Sequence, residues 1–414
     1  MFRRSGLAGD SEFLKLWAGE TVSDFGDQIT LLAIPLTAVI VLKASAFEMG
    51  LLAAAAAAPT ALFSLPVGVW VDRLPRRRIL IAADLGRAVA LATVPIAFVA
   101  GILSLPHLYI VAFITGTLSV FFIVAYQAYL PALVGREQLV EANGKMNASG
   151  SLAQLAGPSV SGILVQLFAA PMPVVVDALS FVGSLVGVAA IRRLEPRLEP
   201  RGRDMRAEIR EGLVFLLGNP ILRTIVITGS IFILLFSAQT AIFLLYLSRD
   251  LGLSPSVIGI LLAIGGIGAL AGALLASRVA RRMGIGPSFL AGAILVIAFL
   301  IARGIAGGPT VAVVVALATS QLVGLFAISL FNVNGPSLRQ ALTPPHLLGR
   351  VNASYRFLVW GTAPIGALLG GTLGELFGLR AALLITGVAA LTTLPVLLGS
   401  PLATTREVPA RQAL

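Results

Sequence analysis

Residues 46–78 read AFEMGLLAAAAAAPTALFSLPVGVWVDRLPRRR, an apolar run followed at once by a basic segment. The apolar part, from Ala46 to Val71, contains a single charged residue, Glu48. A helix needs about 20 apolar residues to cross a bilayer core about 30 Å thick, so this run is long enough to span a membrane. The four arginines between residues 72 and 78 are typical of a short cytoplasmic loop, where basic residues accumulate.

Apolar runs of this kind recur along the whole chain. Of its 414 residues, 57% are hydrophobic and 12% are charged, and the mean hydropathy is +0.95. Soluble domains carry about 25% charged residues, so this chain lacks the polar surface of a water-soluble fold. We predict an all-α membrane protein with twelve transmembrane helices. The predicted spans are 14–42, 46–71, 79–101, 107–133, 139–168, 172–191, 221–248, 255–277, 286–306, 309–338, 347–377 and 379–400.

The 30 Lys and Arg residues lie mostly in the breaks between these runs. With a cytoplasmic N-terminus, 24 of them fall in cytoplasmic segments, and Arg87 and Arg356 fall inside helices. The outer loops then hold four: Lys43, Arg249, Arg303 and Arg380. This bias predicts that both termini are cytoplasmic. No aromatic residues alternate with the basic ones, so we expect no nucleic-acid binding despite a net charge of +11.

The longest polar stretch lies near the middle of the chain, between residues 192 and 219. It separates six predicted helices from six. We interpret it as a cytoplasmic linker whose second part is an amphipathic surface helix. The predicted domains are therefore a six-helix half over 1–191, a linker over 192–220, a second six-helix half over 221–400 and a cytoplasmic tail over 401–414.

The two predicted halves share a weak internal repeat at an offset of 205 residues. At this offset 72–77 aligns with 277–282, 126–131 with 331–336, and 144–149 with 349–354. Three local matches at one offset indicate duplicated halves. Parallel six-helix repeats are typical of transporters that bind their substrate near the bilayer midplane, between the repeats.

The segment Gly68-Val69-Trp70-Val71-Asp72-Arg73-Leu74-Pro75-Arg76-Arg77 resembles the G-x-x-x-D-R-x-x-R-R motif between helices 2 and 3 of the major facilitator superfamily. The resemblance implies a cytoplasmic gate formed by Gly68, Asp72, Arg73, Arg76 and Arg77. We expect Gly68 to allow close helix packing and Asp72 to accept hydrogen bonds from helix N-termini. The alternative is that the arginines serve only as topology signals. The second copy has Ser277 in place of the aspartate, which predicts a weaker gate there.

Predicted helix 5 contains Gly157, Pro158 and Gly162, and it is similar to the antiporter motif of drug exporters in this superfamily. The resemblance implies a kinked, tightly packed helix pair that limits leak; an ordinary proline-kinked helix is the alternative. The opening segment 13–28, with Ser23-Asp24-Phe25-Gly26-Asp27-Gln28, resembles the branch that contains macrolide exporters and the enterobactin siderophore exporter. Better-known drug/proton antiporters carry an arginine in helix 4, but residues 107–133 contain none. Their proton relay therefore does not carry over.

Three acidic residues of predicted helix 1, Glu20, Asp24 and Asp27, follow the spacing of one helical face. Intramembrane carboxylates are costly and usually functional. Asp27 lies roughly 15–20 Å from the inner end of this helix, near the midplane. Because burial favours the uncharged form of a carboxylate, Asp27 and Asp24 are the candidates for proton coupling.

Fixed salt bridges are the alternative for these charges, with Arg356 of helix 11 as the charge partner of Asp27. A second such pair is Arg87 with Asp84. Glu20 is nearer the interface, where it would be hydrated, and Asp177 of helix 6 is expected to be structural or to lie at the rim.

In this superfamily helices 1, 4, 7 and 10 line the substrate cavity. The resemblance therefore implies a cavity whose aromatic and amide side chains suit a bulky amphipathic ligand. Each aromatic residue could instead face lipid. Phe236 and Gln239, one helical turn apart, are the preferred pair. The cavity candidates are Phe121, Phe122, Tyr126, Phe232, Phe236, Gln239, Gln321 and Phe326.

We predict a monomeric secondary transporter of the bacterial inner membrane that exports drug-like or siderophore-like amphipathic molecules by proton antiport. Sodium is the alternative coupling ion. A lysophospholipid flippase of the same superfamily is the alternative function, and a non-transporting receptor is another. With no cysteine, two histidines and no recognised catalytic motif, we expect no catalytic residues, metal site or cofactor, which argues against a membrane enzyme.

Overall fold

The computed structural model describes residues 6–71, 73–135, 137–193, 205–306 and 310–405. Within these ranges the chain is helical and contains no β-strand. Its α-helices, in chain order, are α1 (Ser11–Leu36), α2 (Ala46–Val71), α3 (Arg76–Val99), α4 (Leu105–Val134), α5 (Leu139–Leu167), α6 (Val174–Ala189), α7 (Met205–Gly218), α8 (Pro220–Leu245), α9 (Pro255–Met283), α10 (Ile285–Ile305), α11 (Thr310–Leu342), α12 (Leu348–Trp360), α13 (Ala363–Phe377), α14 (Leu379–Ala389) and α15 (Thr393–Leu398).

The all-helical membrane fold is confirmed. In the described ranges, ten helical segments are long and apolar enough to cross a membrane. α6 is a shorter apolar helix, and α5 is 29 residues long but begins with the polar stretch that contains Glu141 and Lys145. With α12 joined to α13, α14 joined to α15 and the linker helix α7 set aside, the helical segments coincide with the twelve predicted spans.

Two spans predicted as continuous helices are interrupted. The span 347–377 breaks between Trp360 and Ala363, because Pro364 lies in the first turn of α13 and lacks the N–H that would bond to the preceding turn. The span 379–400 passes through a short 3₁₀ segment, Ala390–Thr392, just before Pro395. In both places proline removes a hydrogen-bond donor from the helix.

The first helices of the two halves end in the same way, which supports the internal duplication. A π-helical turn, Thr37–Val41, follows α1, and a second one, Tyr246–Asp250, follows α8. The chain then turns through a residue with positive φ, Lys43 at 55° and Gly252 at 62°.

The two copies of the basic motif have different backbones. α2 ends at Val71, and Pro75 precedes α3. In the second copy Ala280 replaces Pro75, and α9 continues to Met283, where Gly284 with φ 91° ends it. The residue before a proline disfavours helical backbone, so only the first copy has a break before its paired arginines.

The chain divides into two compact units. The first contains Met1–Ala44, Ala55–Arg201 and Ser254–Ala263. The second contains Ser45–Ala54, Gly202–Leu253 and Ile264–Leu414, so α2 and α9 each contribute to both. In the first unit α1 packs on α5 and α6, and α3 packs on α4 and α6; in the second, α8 packs on α13, and α10 packs on α11 and α14.

The linker helix α7 belongs to the second unit and packs on α12. A Cβ atom at Gly212 would lie 2.7 Å from the carbonyl oxygen of Arg350, so the two backbones are in close contact. Leu216 is fully buried, and Glu211 forms an ion pair with Arg350. The predicted amphipathic helix is present in the second part of the linker; residues 194–204 lie outside the described ranges.

Candidate functional site

A polar cavity of about 280 Å³ lies in the first unit among α1, α3 and α4. The α1 residues recur at the spacing of a helical face, which brings them to one side of that helix. Arg87 is the cation of the lining. The lining residues are Glu20, Ser23, Asp24, Asp27, Arg87, Ser119, Phe122, Ile123 and Tyr126.

Asp24 and Asp27, the predicted coupling residues, both line this cavity. The Asp27 side chain is exposed to the cavity, and Asp24 is partly exposed. Neither carboxylate forms a hydrogen bond or an ion pair with any residue that the structure describes. Both groups are therefore open to a proton, to water or to a positively charged ligand.

Arg87 is buried and forms an ion pair with Asp84, which lies three residues earlier on α3 and is fully buried. The guanidinium stacks between two rings, with its Cζ atom 4.4 Å from the Phe122 ring centroid and 4.0 Å from that of Phe181. Its Nε and the Asp84 Oδ2 have no hydrogen-bond partner among the described residues. The pair expected as an alternative from sequence thus exists, and its cation faces the cavity.

Asp177 of α6 lies behind α1 and is fully buried rather than at the rim, because Gly26 leaves room for it. A Cβ atom at Gly26 would lie only 2.9 Å from the Cβ atom of Ser180. The Ser180 hydroxyl donates to the Asp177 Oδ1 at 3.0 Å, while Oδ2 has no partner among the described residues. An aspartate in an otherwise apolar helix is the sequence signal for such a site.

Glu20 belongs to the same polar region, and Ser184 of α6 donates to its Oε1 at 3.3 Å. With Asp24, Asp27, Asp84 and Asp177, this region contains five carboxylates and, among the residues that the structure describes there, one arginine. Arg87 can neutralise only one of them. The site therefore has a negative excess that a proton or a basic ligand would neutralise.

The chain matches a known family along almost its whole length. The sequence profile of the transmembrane secretion effector family matches residues 7–412. The chain belongs to this family of major facilitator transporters. Its relatives are transporters rather than enzymes.

Two relatives of this transporter align over most of its length. The multidrug efflux pump Tap of Mycolicibacterium fortuitum is 28% identical over 380 residues, covering 87% of this chain and 88% of the pump. Macrolide efflux protein A of Streptococcus pyogenes is 26% identical over 385 residues, covering 91% of this chain and 92% of that protein.

Solved structures share the fold. The nucleoside transporter NupG superposes with a TM-score of 0.75 at 14% identity, covering 94% of this chain and 98% of NupG. A bacterial homologue of the iron transporter ferroportin, in an inward-facing state, superposes with a TM-score of 0.75 at 16% identity, covering 94% and 98%.

The second unit of the transporter corrects the predicted role of its amides. Gln239 is fully buried, and its amide donates to the carbonyl oxygens of Leu300 at 2.8 Å and Leu383 at 2.9 Å. Gln239 therefore joins α8 to α10 and α14 and does not line a cavity. Gln321 is also buried, and its Oε1 accepts a hydrogen bond from Arg303 at 2.8 Å.

The sequence predicts Arg303 in an outer loop, but this residue is buried near the end of α10. Its Cζ lies 4.2 Å from the ring centroids of Phe243 and Phe299 and 5.6 Å from that of Phe236. Within the described residues it has no carboxylate partner. Three aromatic rings and an amide take the place of a counterion. Phe236 thus lies beside a buried cation.

The other aromatic candidates have different surroundings. Phe232 is buried in the core of the second unit, edge-to-face with Phe331 at 5.6 Å. Phe121 is half-buried and stacks on Trp70 at 5.7 Å. Phe326 is also half-buried. Tyr126 and Phe122, both predicted cavity residues, line the carboxylate cavity and stack on each other at 6.2 Å.

The gating motif is described only in part, because Asp72 lies outside the described residues. A Cβ atom at Gly68 would meet no described atom within 4 Å, and the expected close packing at this residue stays a prediction. Arg73 is exposed. Arg76 donates to the Ala128 carbonyl at 3.3 Å, and Arg77 donates to that of Val188 at 3.1 Å. These two arginines thus join the start of α3 to the ends of α4 and α6.

The antiporter-like motif in α5 packs closely, as the resemblance implied. A Cβ atom at Gly157 would lie 2.9 Å from the Gln28 Cγ of α1. A Cβ atom at Gly162 would lie 3.1 Å from the Cα of Gly259, in the part of α9 that belongs to the first unit. Pro158 is buried between these glycines. The role of this motif in limiting leak stays a prediction.

Arg356, the predicted charge partner of Asp27, is half-buried in α12 of the second unit. The cation that lines the Asp27 cavity within the first unit is Arg87. A pairing of Asp27 with Arg356 stays a prediction.

Proposed function

We propose that this transporter exports amphipathic small molecules that carry a basic group, in exchange for protons, by alternating access. The observation that carries the proposal is the cavity in the first unit, where Asp24 and Asp27 have no partner among the described residues. A carboxylate with no fixed partner is free to bind a proton at one stage of a transport cycle and a cationic substrate at another. Phe122 and Tyr126 add aromatic surface for the apolar part of the same ligand.

Asp27 is the proposed proton carrier, and Asp24 the secondary one. Arg87 is the positioning cation: it is held by Asp84 and by two aromatic rings, so its charge stays beside the cavity when Asp27 loses its proton. Glu20 and Asp177 add negative charge from neighbouring positions. Because the proton and the basic substrate compete for the same carboxylates, proton import is coupled to substrate export.

The charge of the cavity also favours one of the two substrate types predicted from sequence. Three lining carboxylates repel an anionic siderophore or the phosphate of a lysophospholipid, whereas they attract a protonated amine. The names of the relatives, a multidrug pump and a macrolide pump, are consistent with this preference. We therefore propose drug-like basic amphiphiles as the substrates and the lipid flippase as the disfavoured alternative.

Transport into proteoliposomes tests the proposed function. We expect vesicles with an acidic interior to accumulate a quaternary ammonium dye against its gradient, because outward proton flow drives the exchange. This permanent cation stands in for a protonated amine and is not trapped by protonation. A sodium gradient of the same direction should not drive uptake, and neither a siderophore nor a lysophospholipid should accumulate. Protein-free vesicles are the control. Uptake that follows sodium, or that requires an anionic substrate, would contradict the proposal.

We further propose that both termini and the linker lie in the cytoplasm of a bacterial cell, with the protein a monomer in the inner membrane. The chain has no cysteine, so single cysteines at Ser5, Gly202 and Thr405 are unique labels. An impermeant thiol reagent added to intact cells should leave all three unlabelled. A cysteine at Ser104, which is exposed and precedes α4, should be labelled. Labelling of any of the first three positions from outside would refute this topology.

The motif of residues 68–77 is proposed as the cytoplasmic gate, with Asp72 as its hydrogen-bond acceptor and Gly68 as its close-packing position. The hydrogen bonds of Arg76 and Arg77 suggest that these arginines act by fixing the start of α3 within the first unit. Among the remaining cavity candidates, Phe121, Phe236 and Phe326 are half-buried and are retained as proposed substrate contacts.

A further inference from the structure

A second, larger cavity of about 710 Å³ opens at the ends of α1, α3 and α6, away from the carboxylate cavity. Of the described residues, five basic ones and no acidic one line it. Lys15 comes from α1, Arg77 and Arg78 from α3, and Arg192 and Arg193 from the segment after α6. The proposed proton exchange does not use this cavity.

Three of the five basic side chains already form hydrogen bonds or ion pairs with neighbouring residues. Lys15 bonds to Glu12 at 2.7 Å and to the Ala190 carbonyl at 2.9 Å. Arg193 pairs with Asp10 at 3.1 Å, and Arg77 donates to the last carbonyls of α6.

Arg78 and Arg192 differ from these three. Both side chains are exposed, and neither guanidinium forms a hydrogen bond or an ion pair within the described ranges. Among the described residues these two positive charges have no counterion, which points to an anion as their partner.

The N-terminus of α3 adds to the positive electrostatic potential of this cavity. Its first turn contains Arg76, Arg77 and Arg78 and no acidic residue, and no side chain that the structure describes caps its N-terminus. The N-terminus of a helix is the positive end of its dipole, so it repels the basic residues of the first turn. Bound negative charge would relieve both the dipole and the clustered arginines.

The surroundings favour a lipid over a free anion. The cavity lies at the ends of membrane-spanning helices, on the face predicted to be cytoplasmic. On α6, Val186 is 58% exposed and lies one turn before Ala189 of the lining; on α3, Leu85 is 53% exposed and lies two turns beyond Arg78. We propose that this cavity binds the phosphate headgroup of an anionic phospholipid, whose acyl chains lie along this apolar surface.

Lipid titration of the purified full-length protein in detergent, followed by native mass spectrometry, tests the site. The probe is phosphatidylglycerol, and phosphatidylcholine measures uncharged background. Arg78→Gln with Arg192→Gln should weaken phosphatidylglycerol retention about 30-fold, because each basic residue near an anionic surface contributes a factor of about five. The charge-preserving pair Arg78→Lys with Arg192→Lys should restore most of the retention.

Two exposed arginines of the second copy of the basic motif supply a control of equal charge. Arg281→Gln with Arg282→Gln removes the same charge from two exposed residues at the end of α9 and should leave retention unchanged. Equal retention in the wild type and in the Arg78/Arg192 double variant would overturn the proposal, as would equal loss in the control. Displacement of the lipid by millimolar inorganic phosphate alone would also overturn it, since the site would then recognise a free anion.

Discussion

Asp27→Asn is expected to abolish uphill, proton-driven export while leaving substrate binding measurable. Asparagine has nearly the volume of aspartate but cannot release a proton, and Asp27 is exposed to the cavity with no partner among the described residues to lose. Accumulation of the quaternary ammonium dye in acidic vesicles should fall to the level of protein-free vesicles. Dye binding, followed by tryptophan fluorescence, should weaken without disappearing, because Asp24 and Glu20 still line the cavity.

Asp24→Asn is the matched control, since it removes the same charge from the same face of α1. Because Asp24 lies one turn nearer the start of α1, we expect it to reduce accumulation without abolishing it.

The rival account, a fixed pair between Asp27 and Arg356, makes a different prediction. Under that account Asp27→Asn destabilises the protein by about 3–5 kcal/mol, because it strands a buried charge. Adding Arg356→Gln would then restore the transport. Recovery of proton-driven export in this double variant would show that Asp27 is not the proton carrier.

Arg87→Gln is expected to be strongly destabilising, by about 3–5 kcal/mol, because it leaves the fully buried Asp84 without its counterion. It also removes the cation that stacks against Phe122 and Phe181. The midpoint of thermal unfolding in detergent measures the loss. Arg87→Gln with Asp84→Asn should recover most of the stability, since the stranded charge is gone, but not the transport activity, since Asp27 then lacks its neighbouring cation.

Arg303→Gln is the control in the second unit. Arg303 and Arg87 are each 4% exposed, but Arg303 has rings and Gln321 as its partners and no carboxylate to strand within the described residues. Replacing Arg303 should therefore lower the free energy of unfolding less than replacing Arg87 does. If the two variants lost similar stability, or if Asp84→Asn did not restore the stability of Arg87→Gln, Arg87 and Asp84 would not be a mutually dependent pair.

Much of the fold could be predicted from sequence, because the signals for it are local. Each membrane span must satisfy its own backbone hydrogen bonds, so a run such as Ala46–Val71 is helical whatever it packs against. The same applies to the break at Pro75 in the first copy of the basic motif. The face of α1 that carries Asp24 and Asp27 also follows from the helical repeat, and both residues line one cavity.

Only the tertiary structure decided which polar groups meet. In a membrane helix nearly every face is apolar, so the sequence does not show which way a helix is rotated or which neighbour it contacts. That is why Gln239, predicted in a cavity, instead joins three helices, and why Arg303, predicted in a loop, lies among aromatic rings. Asp177 meets α1 because Gly26 leaves space on a helix far away in sequence. The sequence by itself determined where the spans lie and which of them carry charged residues. Helix rotation and close packing decided the partner of each charge.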